Sequence, residues 1–292
     1  MKPHLPSLLI VGCGDVGLRV VRALGGRLRV FALTSSPDRR DALRAADVRP
    51  IVGDLDDPAS LGRLAGLADA VLVLAPPPST GHADPRLRAL LAALSRRTTP
   101  ARVVYASTTG VYGDCRGELV SETRPLNATT DRSRRRVDAE SQLRAWGRAT
   151  GARVSVLRIP GIYASDREGG RPQDRVKRGT PVLAAEDDGY TNHIHADDLA
   201  RACIAALWRG RPQRVVQVCD DSDLKTGDWY DLVADLSGLP RPPRVTRAQA
   251  GEQFSAAQWS FLNESRRLSN GRMKRELRLK LMRPTIREGL AD

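Results

Sequence analysis

Short, unbroken apolar runs recur along the first half of the chain, with amphipathic stretches between them. Leu8-Leu9-Ile10-Val11 is the first. A run without polar alternation suits a strand covered on both faces, as in a parallel sheet. Gly12-Cys13-Gly14-Asp15-Val16-Gly17 follows at once, and then a helical pattern with Val16, Val20, Val21 and Leu24 on one face. Further strands are predicted at Leu28–Thr34, at Arg49–Gly53, ending at Asp54, and at Asp69–Ala75, stopped by Pro76-Pro77-Pro78. Two more are predicted at Arg102–Ala106 and Arg153–Ile159. Between them, Ser36-Pro37 reads as the cap and first turn of a helix over 38–46, and Asp57-Pro58 opens a shorter one. Asp84–Arg97 carries Leu87, Leu90, Leu91 and Leu94 on one side, and Arg132–Thr150 is a long helix. Strand alternating with helix predicts an α/β fold: a Rossmann-type, doubly wound parallel sheet with right-handed crossovers.

Beyond Pro160 the rhythm breaks. Residues 164–190 read as loop with one short helix. Ala196–Trp208 is an amphipathic helix, Val215–Val218 a short strand and Thr226–Leu236 another helix. Leu239-Pro240-Arg241-Pro242-Pro243 looks like a linker, and the last fifty or so residues look helical around an extended piece at Arg267-Leu268-Ser269. The first domain is therefore expected over 1–160, regaining the chain at 192–220. A smaller C-terminal, substrate-side domain is expected over 161–292, mainly 161–191 and 221–292.

Charge and cysteines narrow the function classes. The formal net charge is +13, mostly from arginine. The basic residues are spread along the chain among acidic ones, with no basic tail and no aromatic-plus-basic ladder, which argues against a nucleic-acid partner. A small anionic substrate suits the charge better. Cys13, Cys115, Cys203 and Cys219 lie far apart with no Cys-x-x-Cys, as expected of a reducing cytoplasm. No apolar run approaches the roughly 18 residues of a membrane helix, and the run at 8–11 is too short for a signal peptide.

The glycine pattern, placed between a strand and a helix, points to a dinucleotide. Gly12 allows the tight turn, Gly14 lets a pyrophosphate approach the backbone, and Gly17 lets helix and strand pack closely. Asp15 and Val16 open the helix whose N–H groups would face the phosphates. At the tip of the second strand Thr34-Ser35-Ser36 stands where an NAD site usually places a carboxylate, and Arg39-Arg40 follow. That favours a 2′-phosphate, hence NADP, although such a tip admits NAD as well. Asp54 and Leu55 are placed to bracket the adenine, and Ala75-Pro76 to pass beneath the pyrophosphate.

Four further segments carry a resemblance. Ser107-Thr108-Thr109-Gly110-Val111-Tyr112-Gly113, Leu157-Arg158-Ile159-Pro160-Gly161-Ile162-Tyr163, Asn192–Ala200 and Arg267–Lys274 are similar to motifs of the extended short-chain dehydrogenase/reductases, the NAD-dependent epimerase/dehydratase family. The resemblance implies a Rossmann fold, an NAD(P) cofactor held in part at Pro160, and a homodimer formed through helices flanking the sheet. It also implies an epimerase, dehydratase or reductase acting on a sugar-nucleotide-like substrate. By the same resemblance Thr108 is the catalytic hydroxyl that holds a substrate oxygen. The family's Tyr-x-x-x-Lys pair falls on Arg132 and Arg136, which is a departure. Arginine stays protonated and cannot serve as the general acid, so Arg136 is left as an anchor for the nicotinamide ribose. Tyr112 is a candidate substitute acid, or else a structural tyrosine. The departure keeps open a second reading: an NADP-binding sensor or scaffold without catalysis. Arg132, Arg135 and Arg136 share one helical face, and with Arg134 form a cationic cluster suited to an anionic substrate.

His193-x-His195-x-Asp197-Asp198 resembles the His-x-His-x-Asp-His metal pattern of metallo-β-lactamase-like hydrolases. The sixth position is Asp198, and the other histidines, His4 and His82, lie upstream, so no metal site is expected. Asp197 is expected to cap the following helix and His195 to be packed or hydrogen-bonded.

Overall fold

The predicted strands, including the short one expected at Val215–Val218 and found at Arg214–Gln217, pair into a single parallel sheet. The structure is a computed structural model that describes residues 6–255, 259–260 and 262–291; His4 and part of the C-terminal stretch read as helical lie outside them. The strands are β1 (Ser7–Val11), β2 (Arg29–Thr34), β3 (Arg49–Val52), β4 (Ala70–Val73), β5 (Arg102–Thr108), β6 (Arg153–Ile159) and β7 (Arg214–Gln217). Their order is β3-β2-β1-β4-β5-β6-β7, every neighbouring pair parallel. The order turns back between β1 and β4, which leaves a crevice at the carboxyl ends of the strands.

The unbroken run of β1 serves both faces. Leu8 and Ile10 join one cluster with Val20 and Leu24 of α1 (Asp15–Leu24) and Leu199, Cys203 and Leu207 of α6 (Ala196–Arg209). Leu9 and Val11 join the other, with Leu61 and Leu64 of a 3₁₀ segment, Leu87 and Leu90 of α3 (Pro85–Leu94) and Leu143 of α4 (Asp131–Thr150). Each of these fully buried aliphatic side chains contributes about 1.5–3 kcal/mol. A third cluster lies outside the sheet layers. It joins Tyr163 to Val176 of α5 (Pro172–Lys177), Trp229 and Val233 of α7 (Thr226–Ser237), and Ile286.

Several boundaries move for identifiable reasons. Ser36 makes no capping bond; Pro37–Arg39 is a 3₁₀ turn and α2 starts at Arg40, ending at Ala45. Asp57 and Asp84 do cap, accepting from the Ala59 and Leu87 N–H groups. Asp197 does not cap α6. His195 takes that place, its Nδ1 accepting from the Asp197 N–H at 3.2 Å. Arg244-Val245, just after the proline-rich stretch, pairs with Val182-Leu183, so that stretch leads into a strand pair. The expected division puts all of 221–292 on the substrate side. Met273, Leu277, Leu279 and Leu281 instead pack into the sheet cluster with α1 and α6. All four cysteines are buried free thiols, and burial pushes Cys13 up to about 11. Among the described residues no helix is long and apolar enough to cross a membrane.

Candidate functional site

The turn after β1 is shaped by its glycines. Gly12 has φ +88°, and a Cβ there would lie 2.5 Å from the Ala75 backbone nitrogen. That nitrogen donates to the Val11 carbonyl at 2.9 Å, so the chain after β4 closes directly over the turn. At Gly17 a Cβ would press on Cys13 Sγ at 3.2 Å and Ile10 at 3.4 Å. At Gly14 it would meet nothing within 4 Å. Gly14 also caps α1 without a side-chain bond, leaving the first N–H groups of α1 without a capping side chain, and Gly14 to Gly17 line a cavity. A backbone cradle open only at its middle glycine fits a pyrophosphate.

Two cavities adjoin at this turn. One, of about 350 Å³, is lined by Gly12, Gly14, Asp15, Val16, Gly17, Thr108, Arg136, Pro160 and Arg167, among others. The other, of about 220 Å³, is lined by Gly12, Thr34, Arg39, Asp54, Leu55, Ala75 and Pro76, with Ser35 and Arg86. Each of the residues expected at the cofactor from Gly12 to Pro160 lines one of the two, except Arg40, which lines neither. Thr34 is turned back onto Ser36, and the Arg39 guanidinium donates to the Cys13 carbonyl at 2.8 Å. No carboxylate stands at the β2 tip itself.

A third cavity, of about 490 Å³, opens beside the first. Thr108, Pro160, Ile162 and Arg167 line both, and Thr108 carries the hydroxyl of that shared wall. Thr108 ends β5, and its Oγ1 accepts from the Gly110 N–H at 3.3 Å. The outer cavity is ringed by Arg132, Arg167, Arg175 and Arg266, with Glu264 as its carboxylate and Tyr190, His193 and Tyr230 also on its wall. Sequence reasoning missed most of these: Arg167, Glu264 and Arg266 lie in loops and Tyr190 in a two-residue ladder, while Arg175 and Tyr230 sit on α5 and α7 with no motif to mark them.

The arginines of α4 diverge. Arg136 donates to the Tyr105 hydroxyl at 2.9 Å and to the Ala106 carbonyl at 2.7 Å, which fixes its guanidinium on the inner cavity. Burial pushes the Tyr105 hydroxyl up to about 12, against the pull of Arg136. Arg132 faces the outer cavity; its half-burial, together with nearby Arg135 and Arg266, holds its pKa below the usual arginine value although Glu264 opposes this. Arg135 points elsewhere, onto the Gly81 carbonyl, and Arg134 pairs with Asp131. The expected four-arginine cluster thus contributes Arg132 and Arg136 to the cavities.

Tyr112 is brought to none of these walls. Its hydroxyl accepts from Arg158 and Gln217, each at 2.8 Å, in a buried network. There Arg158 forks onto Glu140 at 2.7 and 3.1 Å, and Ser107 donates to the same carboxylate at 2.6 Å. Burial raises the Tyr112 pKa further from neutrality. Tyr112 is therefore structural, and the network beneath it holds the ends of β5 and β6, which carry Thr108 and Pro160.

The histidine segment forms no metal site. His195 is the cap of α6, Asp197 pairs with Arg19 at 2.5 Å, and buried Asp198 accepts from the Met282 and Arg283 N–H groups and from Arg201. Among the described residues no group of three metal-ligating side chains occurs. His193 stacks on Trp229 at 3.8 Å between ring centroids, and burial pushes it down to about 3, so it is neutral.

Comparison with known proteins places the chain in a family. Protein YeeZ of Escherichia coli is 26% identical over 254 residues, covering 82% of this chain and 86% of YeeZ. The dTDP-glucose 4,6-dehydratase of Mycolicibacterium smegmatis is 29% identical over 267 residues, covering 78% of this chain and 79% of the dehydratase. A solved structure, that of a functionally unknown conserved protein from Silicibacter pomeroyi, superposes with a TM-score of 0.83 at 32% identity, covering 98% of this chain and 96% of its own. Residues 8–219, which hold the glycine turn, Thr108, the α4 arginines and Pro160, match the NAD dependent epimerase/dehydratase family, and the chain belongs to that family.

Proposed function

We propose that this protein binds NADP in preference to NAD along the two adjoining inner cavities, and acts on a sugar-nucleotide-like, anionic substrate in the outer one. The observation that carries the reading is the position of Thr108 on the wall that the inner and outer cavities share. The nicotinamide, when bound, supplies hydride transfer to and from a substrate carbon. Thr108 then hydrogen-bonds the substrate oxygen at that carbon. Arg136, fixed by Tyr105 and Ala106, holds the ribose side of the groove. Arg132 lies where the family has its tyrosine. A guanidinium gives up no proton near neutrality, so its part is fixed positive charge toward a developing oxyanion. The arginines ringing the outer cavity suit phosphate or carboxylate groups, and the dehydratase relative is named for a sugar nucleotide. The NADP preference rests on Arg39 beside a β2 tip of Thr34, Ser35 and Ser36.

The test is turnover of sugar nucleotides by the unaltered protein with NADP or NAD, repeated with Thr108→Val. The reading expects turnover that falls by about 10²-fold or more in the variant, at unchanged dinucleotide affinity. Arg132 and Arg136 in place of Tyr and Lys favour one alternative, a non-catalytic NADP-binding sensor. Dinucleotide binding without turnover of any nucleotide sugar supports that alternative, and any turnover sensitive to Thr108→Val removes it.

A further inference from the structure

The loop at 164–170 brings Arg167 to the wall of the inner cavity and is closed by its own backbone. Ala164 N–H donates to the Gly170 carbonyl at 3.3 Å, and Gly170 N–H to the Arg167 carbonyl at 3.0 Å. Two of its charged side chains, Asp166 and Arg167, reach back to α1. Asp166 pairs with Arg19, and Arg167 Nη1 donates to Asp15 Oδ2 at 2.5 Å. Arg19 is buried and holds three carboxylates, those of Asp15, Asp166 and Asp197, so this side of the loop is anchored. Arg167 is different. Its bond is to a carboxylate in the first turn of α1, and it lines the cavity formed by the glycine turn. Two guanidiniums face that cavity: Arg136, fixed by Tyr105 and Ala106, and Arg167, fixed by Asp15. The Arg167 stem packs over Gly170, where a Cβ would lie 2.4 Å from Arg167 Cδ.

Asp15 thus occupies the position where a helix N-terminus favours an anion, and Arg167 completes the pair. A diphosphate arriving at Gly14 brings a stronger, bidentate partner for the same guanidinium. We propose that Arg167 is a diphosphate-binding residue of the dinucleotide groove, and that its ion pair with Asp15 is the bond the diphosphate replaces. The loop stays anchored through Asp166 and Arg19 while Arg167 exchanges partners. Asp15 is then a competitor for Arg167, and the two residues have opposite effects on affinity. This inference rests on the dinucleotide reading of the groove.

The test compares the affinities of AMP, ADP-ribose and NADPH for the unaltered protein, Arg167→Gln, Asp15→Asn and the double variant, with thermal melts alongside. Arg167→Gln is expected to weaken ADP-ribose and NADPH by about 10- to 100-fold and to leave AMP, which has no diphosphate, nearly unchanged. Asp15→Asn is expected to tighten ADP-ribose several-fold, and to lose that gain when Arg167 is also replaced. Equal affinities for ADP-ribose in Arg167→Gln and the unaltered protein overturn the proposal. So do equal losses for AMP and ADP-ribose, or a weakening by Asp15→Asn. Failure of the unaltered protein to bind any of the three overturns the dinucleotide reading as well.

Discussion

Replacing Glu140 by Gln keeps the side-chain volume and removes the charge opposite Arg158. The two side chains are 4% and 3% exposed and meet at 2.7 Å. At an effective dielectric of about 20, that contact corresponds to roughly 6 kcal/mol of attraction. The Tyr112 hydroxyl and the Glu122 carbonyl still accept from Arg158, so part of this is recovered. What remains is the cost of a buried cation without its counter-charge, about 3–5 kcal/mol. At roughly 2–4 °C per kcal/mol for a chain somewhat under this size, the melting temperature falls by about 6–20 °C. Urea unfolding at pH 7 should show a lower midpoint at an unchanged slope. Glu140→Leu with Arg158→Met should cost less than Glu140→Gln alone, because no buried charge is stranded. Dinucleotide affinity should fall as well, since Ser107 precedes Thr108 and Arg158 lies just before Pro160. A Glu140→Gln variant within about 1 kcal/mol of the unaltered protein refutes the argument.

Gly12→Ala and Gly14→Ala should separate folding from binding. The first forces a Cβ to within 2.5 Å of Ala75 at a left-handed φ and should lower the melting temperature. The second meets no protein atom and should leave the melt unchanged while abolishing NADPH binding, as calorimetric titration would show. Asp220 is buried, and burial pushes its carboxyl up to about 7, with Oδ2 lacking a partner. The folded state holds that proton more tightly than the unfolded chain, so its contribution is present below about pH 4 and lost as pH rises through about 7. Asp220→Asn should flatten this decline, read as urea midpoints at pH 5 and pH 8. Arg39→Ala should reduce the preference for NADPH over NADH by about 10-fold or more, with NADH affinity little changed.

The sheet was legible because β1, β4 and β5 sit between two layers, so their apolar runs are continuous and end at turns marked by Gly or Pro. The glycine cradle was legible for the same reason: each glycine answers a local demand. The helix start was legible at Asp57-Pro58, where Asp57 caps; Asp84, also before a Pro, caps in the same way but was not singled out. They were misread at Asp197, because a buried Arg19 from a distant helix takes that carboxylate and leaves capping to His195. Arginine was the general difficulty. Arg19 is buried against Asp166 and Asp197 from far along the chain as well as against Asp15 on its own helix, and Arg158 against Glu140 of α4; the sequence does not distinguish them from the solvated arginines around them. The same holds for Arg135, which leaves the α4 cluster for the Gly81 carbonyl. Tyr112 looked like an acid beside Thr108, but the 3₁₀ turn at 109–112 carries its hydroxyl inward to Arg158. The outer cavity was the least legible, since Tyr190 and Arg266 come from a two-residue ladder and a loop, and Arg175 and Tyr230 from α5 and α7, helices far apart in sequence.

The most direct test is titration of the purified protein with NADPH and with NADH at fixed salt, following nicotinamide fluorescence. The account predicts saturable binding of both, with NADPH tighter by about 10-fold or more. Binding of neither would contradict it, and would leave the cradle at Gly12, Gly14 and Gly17 without its ligand.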